Sequence, residues 1–435
     1  MEPEDTRIFA SRLLRQEAVP AVGCTEPGAL ALAAAAASAL VSGELRSVTL
    51  VADLGTYKNT LAVGLPHTDA RGPVIVAAAG ALIAEPGLSL NVLGSATPEI
   101  WARARVLVDE GRVAVSSGNG HRGVFIQAEI EKTGGKGCAI VRGRHDRIER
   151  LLRNGEPVDL PKAQICGDVT GEEIGDSEIR SKLCDPAAVL AHAEALDDED
   201  LTYIRQGVAL NRDLAEQVLK QGAGLGYGTA LSAISGHEPG LSTAKVQALV
   251  AAGIEGRMSG VPLPVMTSGG SGNAGLTVTL GTQEAARLMG GCSESQTMRA
   301  VGLAHLMNVA IKARIGRVGP LCGGAVASAV GVGCGACWLL GGDGSALDLV
   351  VRAMVNAVAG SICDGAKPAC AFRVNAALGV ALQFAILAAE GKLKLNRGGL
   401  AGPSGAAAFD RLTRLAGHGY GATDSAIVEI LAEQV

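Results

Sequence analysis

The residues with the clearest chemical potential lie in one short loop, residues 363–370, which begins with Cys363 and ends with Cys370. An aspartate, a lysine, a glycine and a proline stand between the two thiols, so the segment suits a ligand loop better than a helix or strand. Two thiolates can supply part of the ligand set of a zinc ion or an iron-sulfur cluster, but either group needs more ligands. Residues elsewhere in the chain must therefore complete such a site.

Other cysteines are candidates for that role. Cys322 lies in a turn just before an apolar, glycine-rich run, where its side chain could face a site. Cys334 and Cys337 have the spacing of some zinc and redox sites, but their apolar helical surroundings favour core positions. Cys292, in a glycine-rich turn, is a weaker candidate. The sequence therefore favours Cys322 as the third ligand.

Two kinds of metal site are compatible with these thiols. A structural zinc ion would need four ligands, such as Cys322, Cys363, Cys370 and one more cysteine or histidine. A cubane cluster held by only three thiolates leaves one iron open to a substrate. Among the histidines, His121 and His145 occur near predicted strand ends and could reach a cleft, although surface positions are favoured for both.

A separate cysteine, Cys24, precedes a predicted helix start. Thr25 is a suitable N-cap, Pro27 suits the first turn, and the alanine-rich run to Leu40 has high helix propensity. Unpaired amides and the helix dipole at such a position stabilise a thiolate. Cys24 is therefore predicted to be reactive, although a small residue filling a gap between helices is the alternative.

A run of small residues at 267–275 is the candidate for binding an anion. Successive small residues can turn several amides and hydroxyls toward one negative group, and a substrate carboxylate would fit there. The Gly-Lys-Ser/Thr ending of a phosphate-binding P-loop is absent. A tight turn between two elements remains the alternative.

The composition indicates a globular protein with cores made of small side chains. The 435 residues are 48% hydrophobic and 19% charged, with only 3% aromatic residues and 60 glycines. Such usage predicts closely approaching helices. A formal net charge of -5 argues against a nucleic-acid partner.

The sequence predicts a cytoplasmic location. The acidic residues 1–6 lack the pattern of a secretion signal, so the ten cysteines are read as reduced thiols. The uncharged run 322–342 is long enough to mimic a membrane span. Its many glycines and the lack of flanking basic clusters favour a pair of buried helices, and no membrane partner is expected.

The pattern of elements predicts an α+β protein. Strands are predicted at 47–52, 60–63, 112–115, 124–131 and 137–141. Helices are predicted at 72–84, 97–110, 200–220, 242–256, 282–289, 294–314, 323–340, 345–361, 371–390 and 422–433.

We predict three parts from this order of elements. A mainly helical catalytic domain combines the N-terminal segment, residues 1–45, with the C-terminal half, residues 200–435. A smaller α+β domain, residues 46–150, is inserted into it. Residues 151–199, which are charged and carry proline and glycine, form a connecting segment.

Three blocks of residues, in order along most of the chain, resemble one known family. They are Gly23 to Pro27, Ser271-Gly272-Asn273, and Cys322-Gly323 followed by the loop from Cys363 to Cys370. The chain resembles the iron-sulfur L-cysteine desulfidases, relatives of the L-serine dehydratase alpha chain that include uncharacterised UPF0597-type members. The loop with its trailing cysteine is the most specific of the three blocks.

The resemblance implies roles for these residues. It implies a [4Fe-4S] cluster held by Cys322, Cys363 and Cys370, and activity without pyridoxal phosphate. It implies that Cys24 is the base that removes the α-proton. Some longer relatives end in a cysteine that caps the open iron, whereas this sequence ends in Val435.

The parts together predict how substrate is held. Ser271, Gly272 and Asn273 are predicted to bind the substrate carboxylate by hydrogen bonds. Lys367 is a further predicted substrate contact, with an ion pair to Asp364 that shapes the loop as the alternative.

The predicted function is β-elimination of L-cysteine to pyruvate, ammonia and sulfide. An L-serine dehydratase of the same family is the alternative, because the two substrates differ by one atom. The alternative from another functional class is a zinc or iron-sulfur sensor protein that catalyses no reaction. The expected partners are a small amino-acid substrate and a second copy in a homodimer.

Overall fold

The computed structural model of the chain describes residues 3–118, 121, 123–159, 173–237, 242–396 and 398–433. Its helices are α1 (Pro3–Glu17), α2 (Thr25–Ala39), α3 (Leu54–Thr60), α4 (Pro73–Ile83), α5 (Pro98–Asp109), α6 (Asp176–Lys182), α7 (Pro186–Glu194), α8 (Asp198–Gln221), α9 (Tyr227–His237), α10 (Ser242–Met258), α11 (Gly272–Met289), α12 (Glu294–Ile315), α13 (Ala329–Leu339), α14 (Gly344–Val358), α15 (Cys370–Ala389), α16 (Gly405–Arg414) and α17 (Thr423–Ala432). A 3₁₀ segment spans Pro86–Ser95, and π-helical turns span Gly324–Ser328 and Leu415–Gly419.

The strands are β1 (Pro20–Val22), β2 (Leu45–Asp53), β3 (Val113–Gly118), β4 (Phe125–Lys132), β5 (Gly135–Arg142), β6 (Ile148–Arg153), β7 (Glu156–Pro157) and β8 (Pro264–Met266). Six of them form one mixed sheet in the order β3-β2-β4-β5-β6-β7, in which only the β2–β3 pair is parallel. The short strands β1 and β8 pair antiparallel and join the start of the chain to its second half. The protein is therefore α+β and mainly helical, as predicted.

Two hydrophobic cores divide the elements. One core is built from α1 and from the helices after residue 173. The other is built from α2, α4, α5 and one face of the six-stranded sheet. Helix α2 thus packs against the sheet, whereas α1 packs with the later helices. The predicted domain boundaries at 45, 150 and 200 remain predictions.

The small-residue composition has a direct structural reason in α2. A Cβ atom at Gly80 of α4 would lie 2.4 Å from the carbonyl oxygen of Ala31, and one at Gly137 of β5 would lie 2.0 Å from that of Ala37. Only glycine permits such close approach of two backbones. The alanine-rich helix is consequently buried on all sides between α4 and the sheet.

Most predicted elements are confirmed, but some are wrong. Residues 60–63 are not a strand, because Asp53 caps α3 by accepting a hydrogen bond from the amide of Thr56 at 2.9 Å. Helix α11 begins ten residues before the predicted 282. The sequence reading missed α9, α16 and the strands β1, β6, β7 and β8. The connecting segment contains α6 and α7, and its residues 160–172 lie outside the described part of the chain.

The apolar run 322–342 is a buried helix. It forms a π-helical turn and α13 in one stretch rather than the predicted pair, and every residue from Ala329 to Cys337 is buried. Among the described residues, α15 is the one helix whose length and composition would allow it to cross a membrane, and 44% of that window is buried. Core helices of globular proteins often meet the same criterion.

An internal ion pair ties the C-terminal helix to the sheet side of the molecule. The Lys58 ammonium, fully buried on α3, donates to Asp424 Oδ1 of α17 at 2.6 Å and to the Cys363 carbonyl oxygen at 2.6 Å. We expect Asp424→Asn to lower the free energy of unfolding by about 3 kcal/mol, because it leaves a buried ammonium without its counter-charge. Denaturant unfolding would measure this.

A double variant and an exposed pair provide the controls for that prediction. Lys58→Met with Asp424→Leu should recover most of the loss, since both charges are gone. Asp69→Asn, which breaks the exposed pair with Arg105, should change stability little. If Asp424→Asn behaves like Asp69→Asn, the buried pair does not stabilise this junction.

Candidate active site

Cys24 lies directly before α2, as predicted from the sequence. The helix begins at Thr25, so Cys24 rather than Thr25 is the N-cap residue, and no side chain caps the helix. The Cys24 side chain is buried, and its thiol donates to Glu26 Oε2 at 3.0 Å. The interaction is local, because Glu26 stands in the first turn of the same helix.

Glu26 is the hydrogen-bonding centre of this region. Its carboxylate also accepts from the Thr25 hydroxyl at 2.9 Å and from the Asn59 side-chain amide at 2.7 Å. Burial raises the pKa of the Glu26 carboxyl, but His145, the hydrogen bonds from Cys24 and Asn59, and the charge of Arg257 outweigh burial and lower it to about 2. Glu26 is therefore a buried anion.

The Cys24 thiol is not activated in the way its position predicts. Burial raises its pKa well above the usual value, and the negative charge of Glu26 raises it further. Arg257 acts in the opposite direction but does not overcome these effects. The pKa of Cys24 is therefore raised where the helix start predicts a lowered one, and a reactive role for Cys24 remains a prediction.

The three predicted ligand cysteines converge. Residues 321 and 362 form an antiparallel bridge, which sets Cys322 beside Cys363. The Cys322 amide donates to the Ser361 carbonyl at 2.9 Å, and the Cys363 amide donates to the Pro320 carbonyl at 2.7 Å. Cys370 begins α15 at the end of the loop, and its thiol contacts the Gly365 carbonyl oxygen at 3.7 Å. None of these three cysteines forms a disulfide.

The thiols also affect one another electrostatically. Burial raises the pKa of the Cys322 thiol, and Cys363 raises it further. Burial raises the pKa of the Cys370 thiol to about 12, with further increases from Cys322 and Cys363. The thiols of Cys322 and Cys370 therefore stay protonated unless a cation joins them.

Three cysteines are a donor set that can hold an iron-sulfur cluster. Among the described residues, no group of three or more His, Cys, Asp or Glu side chains is arranged around one ion. A cubane binds each thiolate through a different iron, so its cysteine sulfurs stand further apart than the ligands of one zinc ion. Arg373 and Lys312 lie within electrostatic reach of these thiols and would balance the negative charge of a bound cluster.

Asn59 connects the two halves of the site. Its side-chain amide donates to Glu26 Oε1, and its carbonyl oxygen accepts from the Cys363 thiol at 3.6 Å. Cys24, Glu26, Asn59 and Cys363 consequently form one continuous chain of contacts. The sequence does not single out Glu26 or Asn59, because nothing in a sequence shows that a glutamate and an asparagine are buried together.

The glycine-rich segment 267–275 forms a turn into α11. The Ser271 hydroxyl caps the helix by accepting from the Ala274 amide at 3.4 Å. Ser268 is held from α12, since its hydroxyl bonds to His305 Nδ1 and to the Asn308 amide, both at 2.9 Å. The turn is the alternative that the sequence left open, and it directs the start of α11 toward Arg257.

Arg257 is the most informative residue that the sequence reading missed. It is 2% exposed near the end of α10, and its Nη1 donates to the side-chain oxygen of Asn273 at 2.9 Å. Its Nε and Nη2 atoms have no hydrogen-bond partner in the part of the chain that the structure describes. An arginine in the last turn of a helix usually complements the helix dipole at the surface, so the sequence carries no signal of burial.

His145 is also buried, which corrects the predicted surface position. It is 2% exposed, and both ring nitrogens lack a partner within the described residues. Arg144, beside it, donates to the Gln16 carbonyl at 3.1 Å and pairs with Asp146, which fixes the β5–β6 loop over α1. His121, in contrast, is exposed and stacks on Phe125.

Lys367 is engaged within its own loop. Its ammonium forms an ion pair with Asp364 Oδ1 at 2.7 Å, and Arg373 binds the same oxygen at 2.9 Å. This is the loop-shaping pair that the sequence offered as an alternative to substrate binding. A substrate contact at Lys367 remains a prediction.

The remaining candidate cysteines do not join the site. Cys334 and Cys337 are fully buried in α13, as predicted for core residues. Cys292 lies before α12, and its thiol contacts the Gly290 carbonyl oxygen at 3.8 Å.

Comparisons with known proteins identify the family of this chain. Residues 162–429 match the family model described as serine dehydratase alpha chain. A UPF0597 protein of Desulfatibacillum aliphaticivorans is 34% identical over 431 residues, which is 97% of each chain. UPF0597 protein DP0591 of Desulfotalea psychrophila is 34% identical over 430 residues, 98% of each, and one from Clostridium perfringens is 30% identical over 425 residues, 97% of each.

The chain therefore belongs to the serine dehydratase alpha chain family, as its motifs indicated. Its similarity to the UPF0597 proteins extends over nearly the whole length of both chains. Membership of this family indicates a lyase of amino-acid catabolism. Proteins of the family are in general iron-sulfur dependent.

Proposed function

We propose that the protein is an iron-sulfur-dependent lyase that converts L-cysteine to pyruvate, ammonia and sulfide. The observation that carries the proposal is the convergence of Cys322, Cys363 and Cys370 at a site that Asn59 and Glu26 connect to Cys24. A non-catalytic metal site would have no need of this connection to a buried thiol.

The cluster has a defined task in the proposal. When bound by Cys322, Cys363 and Cys370, it would supply a Lewis acid for the leaving group through the iron that has no cysteine ligand. No pyridoxal phosphate is required.

Cys24 is the proposed base for the α-proton. Its thiol must first lose a proton, which burial and Glu26 oppose and Arg257 favours. The thiolate then takes the α-proton, the C–H electron pair forms the Cα–Cβ double bond, and the Cβ–S bond breaks to release sulfide. The resulting aminoacrylate tautomerises and is hydrolysed to pyruvate and ammonia.

The segment containing Ser271, Gly272 and Asn273 is the proposed carboxylate site. A helix N-terminus attracts anions through its unpaired amides and its dipole. We propose that substrate binds there so that its α-carbon faces Cys24, which would make the bound geometry productive.

Gly272→Ala tests this placement. A Cβ at this position would lie 2.2 Å from Arg257 Nε, so the guanidinium must move. We expect KM for L-cysteine to rise about tenfold with the cluster content unchanged. Gly87→Ala is the control, because a Cβ there meets nothing within 4 Å. Equal KM values for the two variants would contradict the placement.

L-serine is the alternative substrate, and the name of the matched family favours it. The chemistry is the same, with hydroxide rather than sulfide as the leaving group. A structural zinc protein or an iron-sulfur sensor is the alternative from another class. We further propose a cytoplasmic location, a homodimer and no nucleic-acid partner.

Anaerobic reconstitution with iron and sulfide, followed by metal analysis and product assays, tests the proposal. The lyase should bind about four irons, as expected for a cubane, and release pyruvate from L-cysteine or L-serine. Colourless protein with stoichiometric zinc, or cluster-loaded protein that forms no product from either amino acid, would reject it.

A further inference from the structure

Arg257 is a buried cation without a buried anion bonded to it. Only Nη1 has a hydrogen-bond partner within the described residues, and that partner is the neutral side chain of Asn273. Burying a guanidinium without a counter-charge is costly, and leaving two of its donor atoms unpaired adds to the cost. Stability alone explains such a residue poorly, and its two unpaired donor atoms are available to bind an anion.

The surroundings of Arg257 favour an anion at one particular place. Its Nε lies so close to Gly272 that a Cβ there would be 2.2 Å away, which puts the guanidinium against the first residue of α11. The first amides of a helix have no partners within the helix, and the helix dipole is positive at this end. Two sources of positive potential thus meet, an arrangement that suits a carboxylate.

A negative charge, that of Glu26, lies within electrostatic reach of Arg257. Glu26 is ionised and feels the charge of Arg257, yet the two form no ion pair within the described residues. A carboxylate can accept about four hydrogen bonds, and Glu26 accepts three, from Cys24, Thr25 and Asn59. One acceptor position is left for a further donor.

We propose that Arg257 binds the α-carboxylate and Glu26 the α-ammonium of a free amino acid. Opposite charges held apart in a buried site match the two charges of a zwitterion. Because Cys24 donates to the same carboxylate, an ammonium on Glu26 brings the Cα–H bond beside the Cys24 sulfur. The site therefore selects free amino acids and rejects amides, carboxylic acids without an amino group, and peptides blocked at either end.

The identity of the occupant rests on the proposed function, but the test does not need turnover. The probes are L-alanine, which has both charges and no leaving group, L-alaninamide, which lacks the carboxylate, and propionate, which lacks the ammonium. Binding to the reconstituted full-length protein is measured by calorimetry. The wild type should bind L-alanine at least about tenfold more tightly than either analogue, since each lacks one charge-assisted contact.

Arg257→Gln should weaken L-alanine binding roughly 10- to 100-fold and leave L-alaninamide binding unchanged, which removes the preference. Arg257→Lys keeps the charge but not the planar fork, so it should weaken L-alanine binding less than Arg257→Gln does. The matched control is Arg352→Gln. Arg352 is also buried, but it donates to the Gly402 carbonyl at 3.1 Å and pairs with Asp348, so its replacement should lower thermal stability and preserve the preference.

The outcomes separate this inference from the lyase proposal. The carboxylate site is overturned if Arg257→Gln weakens the binding of L-alanine and of L-alaninamide to the same extent. It is also overturned if that variant keeps the wild-type preference for L-alanine. No preference in the wild type overturns it as well. A protein that forms no pyruvate but shows the Arg257-dependent preference keeps the amino-acid site and loses the lyase function. A protein that forms pyruvate but whose preference for L-alanine does not depend on Arg257 keeps the lyase function and loses the amino-acid site.

Discussion

Replacing Cys363 with alanine is expected to abolish cluster binding and turnover together. The two thiols that remain, Cys322 and Cys370, leave a cubane with too few ligands to be held. Iron and acid-labile sulfide content, together with visible absorbance after anaerobic reconstitution, would measure the loss. The fold should survive, because the interactions of residue 363 that anchor the loop are made by its backbone, to Pro320 and Lys58.

Cys292→Ala is the matched control for the ligand variant. It removes a partly exposed thiol whose contact is a nearby carbonyl oxygen, so cluster content and turnover should equal those of the wild type. Circular dichroism should report a folded protein in both cases. A Cys363→Ala protein that still takes up the full complement of iron would show that another residue holds the cluster.

Cys24→Ala is expected to reduce turnover by about 10²- to 10⁴-fold while the cluster stays bound, because a positioned base contributes on this scale. The control is Cys334→Ala. Cys334 is equally buried but lies in α13 within the helical core, so its loss should affect stability rather than catalysis. Full turnover in Cys24→Ala would remove Cys24 from the mechanism without touching the cluster assignment.

The raised pKa of Cys24 gives this prediction a second readout. Burial and Glu26 hold the thiol protonated at neutral pH, so the fraction in the base form grows tenfold with each pH unit. In the wild type kcat/KM should therefore rise with unit slope between about pH 7 and 9, without a plateau. The residual activity of Cys24→Ala should lack this slope. A plateau near neutral pH in the wild type would mean that a different group accepts the proton.

Much of the region around Cys322, Cys363 and Cys370 could be predicted from the sequence because its parts are local. The loop from Cys363 to Cys370 is contiguous, Cys322 precedes an apolar helix, and Cys24 precedes an alanine-rich one. Helices such as α12 and α14 follow from periodicity and capping residues. Sequence patterns predict these caps well, because each capping hydrogen bond joins residues that are close together in the chain.

The rest of the site depends on long-range packing. Arg257 and His145 are polar residues with nothing unusual in their neighbourhood along the chain, and only the fold buries them. The pKa of Cys24 follows from desolvation, which the helix dipole could not reveal. Thr60 and Val63 are β-branched, yet the cap at Asp53 places Thr60 in α3. For the first three residues the tertiary surroundings outweigh the local preference, whereas for residues 60–63 a short-range cap outweighs the preference for a strand.

The most direct test of the account is the product stoichiometry of the reconstituted enzyme. Protein purified and reconstituted without oxygen, and free of pyridoxal phosphate, is incubated with L-cysteine, and pyruvate, ammonia and sulfide are measured over time. The account predicts all three in equal amounts, at a rate that follows the iron content. Cluster-loaded protein that yields none of them from L-cysteine, and no pyruvate from L-serine, would contradict it.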